Sequence, residues 1–348
     1  MAVLTYKCPN CGGEVTFDPT EQNFRCDYCI SHFTSKELQA ASQHDTIEIN
    51  EEEQKAEQRE AVIHSCPSCG AQIITDETTA ATFCYYCHNP VILSGKLEGK
   101  FLPDKVVPFE ISKEEAINVF LNWVKSKRFV PKDFFSKEQI EKIVGIYFPY
   151  WIMDCDVDVS ASGKATNSRV WMAGDLEYTE TSIYEIKRQG SIHFEDLNKN
   201  ALKKANKKLV EGVMPFKTLQ MKPFSMNYLS GFQAEKRDME QIELQEAMDE
   251  EMKKYANILL KETVSGYSTT TMDSVTLDPK SRAWEYVLLP VWVLTYQNAG
   301  KTYYYALNGQ TKKPCGELPI DYKKLIIYCG AIALILFMVL MIGGWFIW

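Results

Sequence analysis

Basic side chains are scarce in the first hundred residues of the chain. This stretch holds seven Lys and Arg against fifteen Asp and Glu, whereas residues 101–348 hold 31 of each, so the whole net charge of −8 belongs to it. Affinity for a phosphate backbone comes from Lys and Arg. The scarcity therefore disfavours nucleic acid as the ligand of this region and favours protein.

Histidine is also scarce, and the common catalytic motifs are absent. The chain has five histidines, and only His193 follows residue 88. The sequence contains no phosphate loop, no His-Glu-x-x-His and no nucleophile elbow. His193 falls in an apparent strand, where a packed or surface position is expected. We interpret the chain as a protein without enzymatic activity; a hidden activity in its middle would require a deep pocket with converging titratable groups.

Cysteine, in contrast, is abundant and regularly spaced. Eight of the eleven cysteines form four Cys-x-x-Cys pairs, and a shift of 58 residues places the first two pairs on the last two. No apolar signal sequence precedes them, so we expect a reducing compartment and metal ligands in preference to disulfides. Four thiolates complete the coordination of a structural zinc ion. We predict two such ions, with the ligands Cys8, Cys11, Cys26 and Cys29 in the first site and Cys66, Cys69, Cys84 and Cys87 in the second.

The residue after the second cysteine of a Cys-x-x-Cys pair, or knuckle, often needs an open backbone conformation, which glycine allows. Gly12 and Gly70 fit this requirement, whereas the other two knuckles are followed by Ile30 and His88. Since four cysteines already fill each site, we interpret His32 and His88 as bystanders.

The chain divides into five predicted segments. Two zinc ribbons, module one (1–35) and module two (64–95), flank an acidic helical linker (36–63). A mixed α+β domain with an antiparallel sheet follows at 100–320. GIYFPYW and LLPVW, which contain Pro149 and Trp151 and then Pro290 and Trp292, predict two similar halves in this domain.

Asp154, Asp156 and Asp158 resemble the start of a calcium loop. That loop needs Gly at its sixth position and Glu at its twelfth, where this sequence has Val159 and Ala165. Their alternation with apolar residues indicates a strand with one polar face instead.

The last segment, 325–348, is a run of 24 residues without charge. As a helix it reaches about 36 Å, which is enough to cross a hydrocarbon core of about 30 Å. Lys323 and Lys324 precede it, so the positive-inside rule predicts a single-pass protein of the cell membrane with its bulk in the cytoplasm. A buried core helix is the alternative.

Lysines concentrate in NKNALKKANKKLVEG. The candidates for contact with anionic lipid at the membrane surface are Lys203, Lys204, Lys207 and Lys208. A solvated lysine face is the competing interpretation.

Several motifs together resemble those of the YdjG-like bacterial double zinc ribbon membrane proteins. These motifs are CPNCGG, CDYC, CPSCGA, CYYC, GIYFPYW, GFQAEKRD, LLPVW and ALNGQT. The resemblance implies a role in phage-shock-type envelope stress, beside a flotillin-like SPFH-domain protein and a PspA-type protein. It predicts a membrane-anchored adaptor or scaffold that recruits these partners, with the eight cysteines as its site residues. A zinc-ribbon nucleic-acid-binding protein tethered to the membrane is the alternative, and oligomerisation stays open.

Overall fold

The computed structural model describes residues 3–4, 6–41, 61–66, 72–84, 89–97, 99–131, 140–298 and 301–347. The predicted ligands Cys69 and Cys87 lie outside these residues, as does most of the predicted linker 36–63. The described ends of that linker are helix α1 (Ser35–Ala41) and the start of strand β5 (Ala61–Ser65). The first described strand next to module two is thus β5, which begins at Ala61.

The chain forms short strands in both modules, and both short and long strands in the α+β domain. The strands of the modules are β1 (Val3–Leu4), β2 (Val15–Asp18), β3 (Asn23–Cys26), β4 (His32–Phe33), β5, β6 (Gln72–Asp76), β7 (Thr79–Phe83) and β8 (Pro90–Leu93). Those of the domain are β9 (Lys105–Val106), β10 (Val144–Ala173), β11 (Leu176–Asn200), β12 (Lys222–Pro223), β13 (Gln233–Glu235), β14 (Thr269–Asn298), β15 (Lys301–Asn308) and β16 (Pro314–Gly316). Its helices are α2 (Lys113–Lys125), α3 (Lys207–Gly212), α4 (Gln241–Glu262) and α5 (Tyr322–Ile347).

Eleven of the described strands form one mixed sheet. Its order is β1-β8-β7-β13-β10-β14-β15-β16, with β11 on β10, β9 on β14 and β12 on β9. The pairs β10–β13 and β14–β9 are parallel and the others are antiparallel. The predicted α+β class is confirmed, but the sheet is not antiparallel throughout, because β9 and β13 enter it from outside the hairpins.

The two Pro-x-Trp segments lie side by side on the central strands β10 and β14. These strands pair antiparallel around Phe148 and Leu289, and each tryptophan lies three residues beyond that pair. Each indole N–H donates to a backbone carbonyl oxygen, at 3.0 Å for Trp151 and 3.1 Å for Trp292. The two segments thus have a local two-fold relation.

The capping-box pair Ser112 and Glu115, followed by apolar residues at helical spacing, predicts a helix, and α2 begins and packs accordingly. Ser112 is the N-cap, and its hydroxyl oxygen accepts from the Glu115 amide at 3.2 Å. Ala116, Phe120 and Val124 are buried on one face of the helix. This face packs into the main core against β15.

Strands β10, β11 and β14 extend far beyond the core. At about 3.3 Å per residue, the 30 residues of β10 reach roughly 95 Å. Cys155, Val157 and Val159 are buried while the three aspartates between and before them are exposed, so the predicted strand with one polar face is confirmed. Helix α4 covers the apolar face with Leu244, Met248, Met252, Ala256 and Leu260.

We call residues 157–192 and 269–279 of these three strands the arm. Beyond the pair Thr166–Thr269 only β10 and β11 continue, and we call this two-stranded end, residues 167–182, the tip. The strands bulge where Val157 faces Pro279, a position at which proline is tolerated.

Helix α5 is, among the described residues, the one helix long and apolar enough to cross a membrane. Its window Tyr322–Met341 has a mean hydropathy of 2.5, and none of the window is buried against the rest of the chain. A buried core helix does not fit this exposure. The helix begins three residues before the predicted segment.

Candidate metal centre

Two tight turns of module one present four cysteines to each other. In the first, the Gly12 amide donates to the Cys8 carbonyl at 2.9 Å, and in the second the Ile30 amide donates to the Cys26 carbonyl at 2.9 Å. Both residues after the knuckles are left-handed, with φ of 72° at Gly12 and 59° at Ile30. The second knuckle therefore adopts the geometry of the first although isoleucine disfavours it.

The four sulfur atoms form a compact cluster. The ligand atoms of Cys8, Cys11, Cys26 and Cys29 all lie within 4.8 Å of one another. The Sγ atoms of Cys8 and Cys29 are 3.5 Å apart, as are those of Cys11 and Cys26. A tetrahedron with Zn–S bonds of about 2.3 Å has edges of about 3.8 Å. The donors and their spacing therefore fit a four-thiolate metal site.

The surroundings of the cluster favour deprotonated sulfur at Cys29, whereas against the lowering effect of a backbone hydrogen bond from Gly13 the Cys29 side chain raises the pKa of Cys11 to about 12. The hydroxyl and backbone of Ser31 lower the pKa of Cys29 to about 6. Cys8 and Cys26 are buried, whereas Cys11 and Cys29 are exposed. A thiolate is the form that ligates a metal. Four such ligands would leave no open coordination position, so an ion here would hold the two knuckles together and would not offer a catalytic water.

His32 is not a member of this cluster. Its Nδ1 lies 3.1 Å from the Asn23 side-chain oxygen, and the group of residues able to hold an ion consists of the four cysteines. His88 lies outside the described residues.

Module two repeats the backbone geometry of module one at three described places, although among the described strands β6 pairs with β5 alone, whereas β2 pairs with β3. The Cys84 amide donates to the Asn89 carbonyl at 2.9 Å, as the Cys26 amide does to Ser31, 58 residues earlier. The strand pair Thr82–Val91 likewise repeats the pair Phe24–Phe33, and Ser65–Gln72 repeats the bridge Lys7–Glu14. Cys66 and Cys84 are both buried in one small cluster. The ligands Cys69 and Cys87 are outside the described residues, so the second ion stays a prediction.

Module one is docked on the α+β domain. Phe17 and Phe24 are buried, and their rings lie 5.4 and 6.0 Å from that of Tyr228. The Phe17 amide donates to the Ser230 carbonyl at 3.1 Å, and the Asn227 amide group donates to the Ser35 hydroxyl at 2.7 Å. The apolar side chains of the ribbon are thus part of the main hydrophobic core, and the ribbon is not a separate unit.

The four candidate lysines at the membrane surface all lie close to glutamates. Lys203 contacts Glu243 at 2.9 Å and Lys204 contacts Glu235 at 3.0 Å. The other two pairs, at 3.8 Å each, are Lys207–Glu211 and Lys208–Glu317. These acids reduce the local positive charge, and contact with lipid stays a prediction.

A polar group next to the start of the arm was not predicted. On the exposed face of β10 and β11, His193 Nδ1 lies 2.6 Å from Asp156, which also accepts from the Ser281 hydroxyl at 2.8 Å. The hydrogen bond to Asp156 raises the pKa of His193. Both side chains are about half exposed, and the serine binds the aspartate and not the histidine. This arrangement lacks a nucleophile activated by a base.

Arg237 of the GFQAEKRD motif was also missed. Its side chain is 4% exposed, and its guanidinium carbon lies 4.8 Å from the Trp151 ring and 5.5 Å from the Tyr286 ring. It also pairs with Glu240 at 2.6 Å. A buried, paired and stacked arginine fixes α4 against the central strands. Sequence alone offers only the motif and the nearby Glu240, since the aromatic rings come from distant segments.

Comparison with known proteins finds a relative that matches nearly the whole chain. The chain is 32% identical over 334 residues to the "Uncharacterized protein YdjG" of Bacillus subtilis (strain 168), across 95% of this chain and 94% of that protein. No family model matches the chain, and no solved structure matches it.

Proposed function

The chain belongs to the YdjG family, and we propose that it is a membrane-anchored, zinc-containing adaptor. In this proposal helix α5 holds the protein in the cell membrane as a single-pass anchor, and the rest of the chain recruits partner proteins on the cytoplasmic side during envelope stress. The partners are the flotillin-like SPFH-domain protein and the PspA-type protein that the family resemblance implies.

One observation carries the proposal: the anchor and the tip lie at opposite ends of the sheet. Strand β14 runs from the tip towards its hairpin with β15, and β16 runs in the same direction because both strands are antiparallel to β15. Helix α5 begins six residues after β16, where the Asp321 amide donates to the Phe129 carbonyl at 2.7 Å. A protein built this way supports a role in which one end binds the membrane and the other binds something distant from it.

The tip has the composition of a binding surface. It exposes five large apolar side chains, and the Trp171 and Tyr178 rings stack with centroids 5.7 Å apart. Exposed apolar clusters of this kind are typical of interaction sites. The five are Val170, Trp171, Met172, Leu176 and Tyr178, with exposed fractions from 41% to 63%.

The edges of the arm offer a second means of attachment. Along residues 269–279 of β14 and 176–192 of β11, each strand pairs with β10 and with no other described strand. Unpaired edges present backbone donors and acceptors to an added strand. A partner could therefore combine strand addition along the arm with apolar contact at the tip.

The zinc ions have a structural role in this proposal. Each of two ions would hold the knuckles of one module together, with the eight predicted cysteines as ligands. We propose no catalytic step. A cleft between module one and the domain has a volume of about 810 Å³, and the ionisable side chains lining it are those of Asp18, Arg25, Asp27, Lys113 and Glu114.

The test compares full-length proteins in a pull-down from detergent-solubilised membranes. The variant Trp171→Ser/Tyr178→Ser removes both aromatic rings of the tip. The control Tyr255→Ser/Ile258→Ser removes two exposed apolar side chains of α4. We expect the tip variant to recover at least ten-fold less of the flotillin-like partner than the wild type and the control do.

Equal recovery by the tip variant would show that the tip is not the docking surface. A parallel pull-down with Cys26→Ser tests whether module one contributes to partner binding. Recovery of the same partners by this variant would show that module one is not a docking surface.

A further inference from the structure

A cleft opens beside the first turns of α5. It lies between the end of α2 and the segment that joins β16 to α5, and its volume is about 550 Å³. Trp123, Leu318 and Ile320 form apolar parts of its wall, and Lys127 and Arg128 supply charge. The cleft therefore combines apolar surface and positive charge at the point where the helix leaves the domain.

Contacts with aromatic rings hold the two cations. Arg128 Nη1 donates to the Tyr328 hydroxyl oxygen at 3.1 Å, and the Arg128 guanidinium carbon lies 6.0 Å from the centre of that ring. Lys127 Nζ lies 5.8 Å from the centre of the Trp123 ring. No carboxylate of a described residue lies within ion-pair distance of Lys127 or Arg128.

Asp321, the acid just before the start of α5, is already paired. Asp321 lies 3.4 Å from Lys324 Nζ, which also donates to the Val130 carbonyl at 2.7 Å. Lys323 adds a further positive charge next to this pair. The cleft thus has an excess of positive charge, unlike the lysines near α3, which face glutamates.

The position of the cleft identifies what can fill it. Tyr328 belongs to the apolar window of α5, so a membrane crossed by this helix would place its phosphate groups next to Arg128. Ile320 is 51% exposed, beside the same helix. An anionic phospholipid has both the phosphate for the cations and the acyl chain for the apolar wall.

We propose that this cleft binds the phosphate of an anionic phospholipid, with Arg128 and Lys127 as its ligands. The inference depends on the membrane anchor proposed above. Guanidinium suits phosphate because its N–H groups can donate to two oxygens at once. The bound lipid would fix the orientation of the domain relative to the bilayer surface.

The test uses the full-length protein and has two independent measurements. Flotation with neutral phosphatidylcholine vesicles measures anchoring. Native mass spectrometry in detergent counts retained short-chain phosphatidylglycerol, with phosphatidylcholine and inorganic phosphate as competing ligands. The variant is Lys127→Gln/Arg128→Gln. The matched control, Lys164→Gln/Arg169→Gln, removes the same two charges from the distant arm.

We expect the wild type and the arm control to retain phosphatidylglycerol equally, and the cleft variant to lose at least ten-fold in affinity while it still floats. Arg128→Lys should retain at least half of the binding, which separates loss of charge from misfolding. Equal lipid retention by wild type and cleft variant would overturn the proposal, and so would displacement of the lipid by inorganic phosphate at equal concentration. Failure of the wild type to float would instead overturn the anchor.

Discussion

Module one and module two share the same sequence pattern but attach to the domain in different ways. Module one has Phe17 and Phe24 as a cross-strand pair, whose rings pack 5.2 Å apart against the domain. The positions 58 residues later are Thr75 and Thr82, also buried. Module two joins the large sheet through β7, which pairs with β8 and β13. The comparison teaches that module one adds an aromatic side-chain contact to its backbone hydrogen bonds, which are made by Phe17 and by β1 on β8, whereas module two joins the sheet by strand pairing.

Loss of a cysteine should have the largest effect on either module. Cys26→Ser leaves three thiolates in module one, and Cys84→Ser leaves three in module two. Because small metal-bound modules depend on the ion for their fold, we expect each variant to lose one zinc ion per chain and to become sensitive to protease in that module. Metal analysis of the full-length protein measures this, and a wild type with well under two zinc ions per chain would contradict the second site.

Truncation of one ring of the aromatic pair should show how differently the two modules depend on side-chain packing for their stability. Phe24→Ala removes a buried ring from the main core, and we expect a loss of about 3–5 kcal/mol in unfolding free energy. Thr82→Ala, its counterpart, should cost about 1 kcal/mol. Denaturant titration of both variants gives the two values. Similar losses would mean that the modules attach by the same means.

The knuckle residue Ile30 should give a smaller effect of opposite sign. It is 62% exposed and has a φ of 59°, a conformation that disfavours a β-branched residue. Ile30→Gly should therefore stabilise module one by about 1 kcal/mol, seen as slower proteolysis. Gly12→Ala, at the equivalent left-handed position, is the control and should destabilise. A destabilised Ile30→Gly variant would mean that the isoleucine side chain contributes more than its backbone costs.

The smallest expected effect is a difference in acid sensitivity. Burial, with Lys96 nearby, lowers the pKa of His64 below its ordinary 6.5. The folded chain then takes up fewer protons than the unfolded chain as the pH falls below about 6.5, so stability is lost in that range. The equivalent residue of module one is Tyr6, whose pKa burial raises to about 12, so it stays neutral there.

We therefore expect His64→Tyr to reduce the loss of module two stability between pH 7.5 and 5.5. Hydrogen exchange at both pH values, in wild type and variant, is the measurement. Any release of metal by acid affects both proteins and cancels in the comparison. An unchanged pH dependence would show that His64 is not the group responsible.

The features that sequence predicted are those encoded by local spacing. The repeat of 58 residues, the ligand set of module one, the Ser112 cap and the apolar helix α5 each depend on residues close together in the chain. The length of the arm was not predicted. Gly163, Gly190 and Pro279 suggest breaks between short strands, but long antiparallel pairing continues through all three positions.

The docking of module one could not be predicted either. Its partners, Asn227 to Phe232, lie about two hundred residues away in the sequence, and no periodic pattern specifies which distant surface a phenylalanine pair will meet. The same holds for the lysines near α3, because their glutamate partners come from α4, β13 and the segment after β16 as well as from α3 itself.

The arm has a mechanical consequence. A long twisted ribbon with a helix along one face resists bending more than a disordered tether of the same number of residues, which would sample every height from zero to full extension. If α5 spans the bilayer, a molecule bound at the tip would be confined to a thin layer at a set height and would diffuse in two dimensions with the anchor. The distance between that layer and the bilayer would then be set by the number of residues in β10.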